Sequence, residues 1–364
     1  MLVRPQRLGL RVLSLPRGEQ KARGSMATAI RQSYPQGVRD VGVTGPRIAL
    51  VGGAGAPFGQ ELAEQLVARG LRVHSADVRS MRVPSVSSHV VPTLDDPGYL
   101  PALSRLVRRN EIDVVIPVSV LAVQAVSVGR FALDPEVGVV APSAGAAAIV
   151  RDRLLVSSKL WSHGLTVPNF GVPSDFADAS TALRRMQGEL VLRPRFIDNG
   201  HTSSLVRTAA DLDWATLDDD ILVQQFVAGA AYAVVIHRPA DGGRRLTAVL
   251  EKTIRADGEV VTSRVRRDET VGNVERIAQA AVRALGLTGP AEVMIRKNEG
   301  GTPIVLDVSA GFGPHSRLVP ELLDAVLDEH ISTSEASERR TAVGEKPSGA
   351  GGGGGHRHAR RQRR

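Results

Sequence analysis

Arg193 and Arg195 flank Pro194 at the end of a short apolar run, and small polar residues follow: Asp198, Asn199, Gly200, His201, Thr202, Ser203 and Ser204. A guanidinium matches phosphate oxygens as a fork, and unpaired amides in a glycine-containing turn converge on an anion. The stretch 190–206, LVLRPRFIDNGHTSSLV, is therefore suited to holding a phosphate, with an ordinary polar hairpin as the competing reading. A second glycine turn, Gly52-Gly53-Ala54-Gly55-Ala56-Pro57-Phe58-Gly59, follows the apolar run RIALV, and Asp77 lies just beyond the next apolar run. In a dinucleotide-binding unit such a turn sets a pyrophosphate on a helix N-terminus and a ribose on the acid. Gly53, Gly55 and Gly59 fit that spacing loosely, with one residue too many before the last, and a glycine turn without a cofactor competes. The third stretch, 301–314, reads GTPIVLDVSAGFGP: a strand bearing Asp307 that leaves through glycines.

These residues need elements to hold them. Arg47–Val51 is a strand, Glu61–Arg69 a helix with Leu62, Leu66 and Val67 on one face, and Leu71–Ser75 a strand. Tyr99–Arg109 is a helix, Ile112–Pro117 a buried strand, Val120–Phe131 a helix and Val137–Ala141 a strand. That alternation predicts a parallel sheet covered by helices on both faces. Ala144–His163 is one helix or two, and Ala179–Met186 is a helix before the Leu190 strand. Ile221–Ile236 reads as two strands broken at Gly229, and Leu246–Ile254 with Glu259–Val265 as a hairpin around Asp257-Gly258. Val274–Leu285 is an amphipathic helix, Ala291–Ile295 and Pro303–Val308 are the last strands, and Leu318–Leu327 is a last helix.

Composition narrows the function classes. The chain has 364 residues, enough for two cores, and no cysteine, so it has no disulfide, thiolate nucleophile or thiolate metal ligand. No apolar run reaches membrane-spanning length. The net charge of +8 is a property of the ends: residues 1–46 carry eight basic and two acidic side chains, and residues 331–364 carry eight and three. The remaining 30 basic and 33 acidic side chains leave the middle near −3, which argues against specific nucleic-acid binding. Residues 1–46 are expected to be a disordered basic segment, either transit-like or an early start with Met26 as the initiator. Residues 331–364 are expected to be a disordered Gly/Arg-rich tail.

Taken in order, from about Arg47 to Leu318, the motifs resemble the ATP-grasp family, in the branch similar to the large subunit of carbamoyl phosphate synthase. Asp152-Arg153 stands at the family's Asp-Lys position, and 164–168, GLTVP, at its Gly-x-x-x-Pro entry. Arg193-Pro194 stands at the family's basic residue before proline, 224–229, QQFVAG, at its Gln-Glu hinge, and 307–311, DVSAG, at its Glu-x-Asn-Pro-Arg strand. The resemblance implies an α/β fold: a Rossmann-like parallel-sheet domain over residues 47–145, then an ATP-grasp α+β module over 146–330. It implies that Arg153 and Arg193 reach the phosphates of ATP, and that Gln225 and the Val227 backbone meet the adenine; Lys252, projecting from the Leu246–Ile254 strand, is a further candidate for the phosphates. An exposed helical ion pair at Asp152-Arg153 and an edge strand with two solvent-facing glutamines are the competing readings.

Magnesium requires hard oxygen ligands. Strand alternation puts Glu292, Met294 and Arg296 on one face, and Val305, Asp307 and Ser309 on one face of the next strand. The implied metal set is Asp307, Ser309 and Glu292. The chain departs from the family at Met294 (Gln or Glu there), Ser309 (Asn), Gly311 (Arg) and Ala231, which cannot hold a ribose. His315 and Arg317 follow closely enough to supply a cation, although a surface role competes. The resemblance implies an ATP-dependent carboxylate–amine ligase acting through an acyl phosphate, with ATP and Mg²⁺. Small-molecule carboxylate and amine substrates, a cytoplasmic location, no membrane and no specific nucleic acid are implied with it; a homodimer is left open. The competing functions are a weakened relative that binds without turnover, and an NAD(P)-dependent oxidoreductase using the Gly53 turn, for which no acid–base constellation is found.

Overall fold

The computed structural model describes residues 46–197, 203–243, 245–254, 260–266 and 271–331. The Asp198–Thr202 loop, the Asp257-Gly258 turn and both terminal segments read from the sequence lie outside the described residues.

The apolar run Arg47–Val51 (β1) sits at the centre of a five-stranded parallel sheet of order β3-β2-β1-β4-β5. Its Ile48, Ala49, Leu50 and Val51 are fully buried, as a strand covered on both faces must be. The sheet is completed by Arg72–Asp77 (β2), Val86–Val90 (β3), Val114–Pro117 (β4) and Gly138–Val139 (β5). Helices Pro57–Ala68 (α1), Tyr99–Arg109 (α2) and Val120–Val128 (α3) make the connections. The edge strand β3, VSSHV, is absent from the sequence reading because it is polar and only partly buried; pairing with β2 creates it. The helix expected to run to Phe131 ends at Val128, and a 3₁₀ turn, Gly129–Ala132, follows.

Ala144–Arg151 (α4) and Arg153–Ser162 (α5) are two helices broken at Asp152. Asp152 leaves helical geometry at φ −105° and ψ 107°, and its carboxylate accepts from the Leu154 and Leu155 amides to cap α5. A four-stranded antiparallel sheet follows, of order β6-β9-β7-β8: Phe170–Gly171 (β6), Leu190–Pro194 (β7), Ser204–Val206 (β8) and Ile221–Gln225 (β9). Helix Ala179–Arg185 (α6) joins its core through Ala182, beside Met186, Leu190 and Val223. Strand β9 is internal, not an edge.

A second five-stranded sheet, antiparallel, has the order β12-β11-β10-β13-β14. Its strands are Ala230–Arg238 (β10), Leu246–Ile254 (β11), Val260–Arg266 (β12), Gly289–Lys297 (β13) and Pro303–Ala310 (β14). One face, with Tyr232, Val234 and Val293, is covered by α4, α5 and helix Gly272–Ala284 (α7). The other face meets β1 of the parallel sheet and α1: Ala233, Val235 and Leu250 share one apolar cluster with Ile48, Leu62 and Leu66. Helix 320–331 (α8) supplies Leu322, Leu323 and Val326 to that same cluster, so the last helix returns to the first sheet.

The β13–β14 register contains a bulge: Met294 pairs with Asp307 but Ile295 pairs with Val305, leaving Leu306 extra. Alternation without a bulge puts Val305 beside Asp307. The extra residue instead turns Val305 into the helix-side core, 1% exposed, while Asp307 faces the four-stranded sheet.

Candidate functional site

The two antiparallel sheets enclose a cleft of about 240 Å³. Arg193, Gln225, Val227, Lys252 and Asp307 all line it, so five of the residues singled out in the sequence are brought together. Gly229 allows the chain to enter β10 at this point: its φ is +111°, and an added Cβ would lie 2.1 Å from the Lys297 carbonyl oxygen.

At the centre, two guanidiniums converge on one carboxylate oxygen. Arg193 donates to Asp307 Oδ2 at 2.5 Å and Arg153 Nε donates to the same oxygen at 3.0 Å. Asp307 Oδ1 accepts from the Val308 amide at 3.0 Å. Burial alone drives the Asp307 carboxyl upward, but the charges of Arg193 and Arg153 outweigh it and hold the group below the usual carboxylate range. Arg193 also reaches Gln224 Oε1 and the Leu306 carbonyl, each at 3.3 Å, and Gln224 Nε2 donates to that carbonyl. Gln224 is thus buried, 4% exposed, and is not the solvent-facing residue of the edge-strand reading.

Arg153 lies behind this centre and is absent from the cleft wall; its second bond runs to the Pro194 carbonyl at 2.6 Å. Asp152 is 4% exposed and holds Arg195 through both carboxylate oxygens, at 2.8–3.0 Å, which replaces the exposed ion pair among the expectations. Arg195 therefore ties the end of β7 to the cap of α5 and is absent from the cleft wall. Gln225 lines the cleft, but its side-chain oxygen accepts from the Asn169 amide at 3.2 Å.

The opposite wall is cationic. Lys252, Ala231 and Arg296 stand in one register row across β11, β10 and β13, so the small Ala231 leaves an open floor between two long cations. Burial lowers the Lys252 ammonium's pKa, partly offset by Glu292 and reinforced by Arg296; burial also lowers Arg296. The Lys252 ammonium lies 3.9 Å from the Met294 sulfur. Arg296 lies 5.7 Å from the centre of the Phe226 ring and donates to the Gly229 carbonyl at 3.1 Å. Gln224, Phe226 and Arg296 were not among the candidate site residues. Alternation along β13 was the available signal for Arg296; nothing in the sequence marked Gln224 as buried.

The implied metal set does not assemble. Glu292 pairs with Ser309 two residues along the same strands, away from the cleft wall. Glu292 is 2% exposed, its Oε1 meets His315 Nδ1, and its Oε2 occupies the space where a Cβ on Gly313 would sit. Opposite Asp307 stands the thioether of Met294, a soft sulfur unsuited to magnesium. Both Asp307 oxygens already accept from this chain, and no group of three potential metal-binding side chains occurs among the described residues. These residues do not fit a protein-held magnesium ion. Arg317 pairs with Glu61 at 3.2 Å on the surface.

The Gly52–Gly55 turn is closed from within. Asp77 Oδ2 accepts from the Gly53 amide at 3.1 Å and the Gly55 amide at 2.9 Å. The carboxylate assigned to a ribose in the oxidoreductase reading is engaged with the amides assigned to a pyrophosphate.

A parallel sheet followed by two antiparallel sheets around a cation-lined cleft is the ATP-grasp architecture, and the chain has that fold. No family model matches the chain. A formate-dependent phosphoribosylglycinamide formyltransferase from Psychromonas ingrahamii is 31% identical over 177 residues, covering 45% of this chain and 41% of that protein. A D-alanine–D-alanine ligase from Bordetella petrii is 25% identical over 202 residues, covering 50% of this chain and 61% of that protein. The chain thus spans less than two thirds of these curated relatives. Among solved structures, N5-carboxyaminoimidazole synthetase from Staphylococcus aureus complexed with ADP matches with a TM-score of 0.64 at 15% identity, covering 79% of this chain and 77% of that one. These relatives and structural neighbours all belong to the ATP-grasp superfamily. No helix among the described residues is long and apolar enough to cross a membrane.

Proposed function

We propose that the chain is an ATP-dependent ligase of the carboxylate–amine type. The observation that carries this reading is the cleft between the two antiparallel sheets, which Arg193, Lys252 and Arg296 line with one carboxylate, Asp307, among the described residues. Relatives named as a ligase and a formyltransferase, and an ADP-bound neighbour of the same fold, support it. The motif order supports the narrower likeness to carbamoyl phosphate synthase, and substrates that are small carboxylates and amines in the cytoplasm go with it.

In the proposed reaction a substrate carboxylate oxygen attacks the γ-phosphorus of ATP and ADP leaves. The amine then attacks the acyl carbon, loses a proton, and phosphate departs with its bonding pair. Phosphoryl transfer places charge on non-bridging oxygens, so positioned cations supply the main stabilisation. Arg193, fixed by Asp307 and Gln224, is the preorganised donor, and Lys252, beside the Met294 sulfur, is a second cation of the wall. Phe226 and the Val227 backbone, at the exit of β9, form the wall against which a base would lie, with Arg296 beside it. No step of this reading uses a magnesium ion held by the protein, because the described oxygens do not form a site for one.

The test is ATP titration by calorimetry, followed by ADP release measured with panels of carboxylates and amines. ADP release that requires both co-substrates is the expected result. The absence of a cation at Gly311 favours a second reading, a relative that binds nucleotide without turnover. Saturable ATP binding with no ADP release across the panels would select that second reading.

A further inference from the structure

We infer that the cleft binds its nucleoside polyphosphate without a divalent ion held by the protein, the phosphate charge being met by Arg193, Lys252 and Arg296. The inference rests on the ATP reading and adds which ionic form of the ligand the site takes.

Three facts carry it. The position across from Asp307 is a thioether, so at this pair of residues the two strands present one carboxylate to the cleft. That carboxylate is already shared by two guanidiniums through one oxygen, with the other on a backbone amide. The remaining acid on the face, Glu292, is buried against His315 and the Gly313 backbone, where its carboxylate occupies the space a side chain there would fill. Its charge reaches Lys252, but its oxygens do not reach the cleft.

The charge balance points the same way. Among the described residues, three cationic side chains and one anionic side chain line the cleft, with Arg153 behind adding a fourth cation. Lys252 and Arg296 have lost part of their hydration to burial. A desolvated cation is stabilised most by an anion that carries its full charge. Metal-free ATP carries two more negative charges than its magnesium complex, so this wall favours the bare polyphosphate. A site built on paired carboxylates has the opposite preference, because without the ion its acids repel the phosphates.

The experiment is calorimetric titration of the full chain with ATP in excess EDTA and in excess magnesium chloride. The expected result is an affinity in EDTA within about threefold of that in magnesium, or tighter, whereas a protein-held ion would make EDTA cost about tenfold or more. Lys252→Met should weaken binding in EDTA more than in magnesium, since the bare polyphosphate depends more on each cation. Met294→Glu supplies the missing carboxylate opposite Asp307, and ATP binding should then become magnesium-dependent. ATP binding by the wild type in magnesium but not in EDTA overturns the inference and leaves the ATP reading standing. So does a saturable site for Mn²⁺ on the nucleotide-free protein, followed by its paramagnetic resonance signal. Absence of ATP binding under both conditions overturns the ATP reading itself, and the inference with it.

Discussion

Two regions of this molecule carry phosphate-like signals, and they resolve in opposite ways. At the Gly52–Gly55 turn, backbone amides that would suit an anion are met by Asp77 from the neighbouring strand. In the cleft, one carboxylate serves two arginines while Lys252 and Arg296 face the opening. A glycine turn or a basic strand states only that charge or donors will be present. Whether they await a ligand depends on whether the chain supplies the counter-charge itself. Here the first region answers its own demand, and the second leaves a surplus of positive charge.

The largest expected effect comes from removing the anchor of the second region. Arg193→Ala loses its bonds to Asp307, Gln224 and Leu306, and should weaken ATP binding by about 1.5–3 kcal/mol, the usual worth of a charged hydrogen bond. Unchanged affinity in a folded Arg193→Ala protein, read by calorimetry, would erase the contrast between the regions.

Asp77→Ala tests the other side. It strands the Gly53 and Gly55 amides, so thermal unfolding should show a loss of about 2 kcal/mol with no change in ATP affinity. A tenfold change in nucleotide affinity would show that the glycine turn takes the ligand after all.

Gly311→Arg asks whether the family's missing cation can simply be restored. Gly311 has φ +91°, and an added Cβ would lie 3.0 Å from Val123 Cγ2. The substitution should therefore cost about 1–2 kcal/mol of stability from backbone strain alone. An undiminished melting temperature together with faster ADP release would show that the loop accepts the arginine.

The smallest effect is in pH. The folded-state pKa of Asp307 is depressed, so its contribution to stability is present above the unfolded value of about 3.9 and is lost as pH falls through the folded pKa. The stability gap between wild type and Asp307→Asn should be widest near neutrality and should close under acid. A gap that stays constant down to acid pH would mean that the arginines do not hold the carboxylate in its charged form.

Sequence pattern alone was enough for the central strands of the parallel sheet, while its polar edge strand β3 came only from pairing with β2. Apolar runs such as RIALV and VVIP are satisfied by cover on both faces. Motif order was enough for the ATP-grasp module, and it brought Arg193, Lys252, Val227 and Asp307 to one cleft. Tertiary structure decided what each of them does there. A one-residue bulge at Leu306 sets which side chains flank Asp307, and no local pattern announces a bulge. Asp307 became an anchor for two arginines, and Glu292 a buried partner of His315, because their neighbours come from strands and helices far away in the chain. Electrostatic roles depend on distances between such elements, at 2.5–3.0 Å for the arginines on Asp307, and spacing along a sequence does not contain those distances.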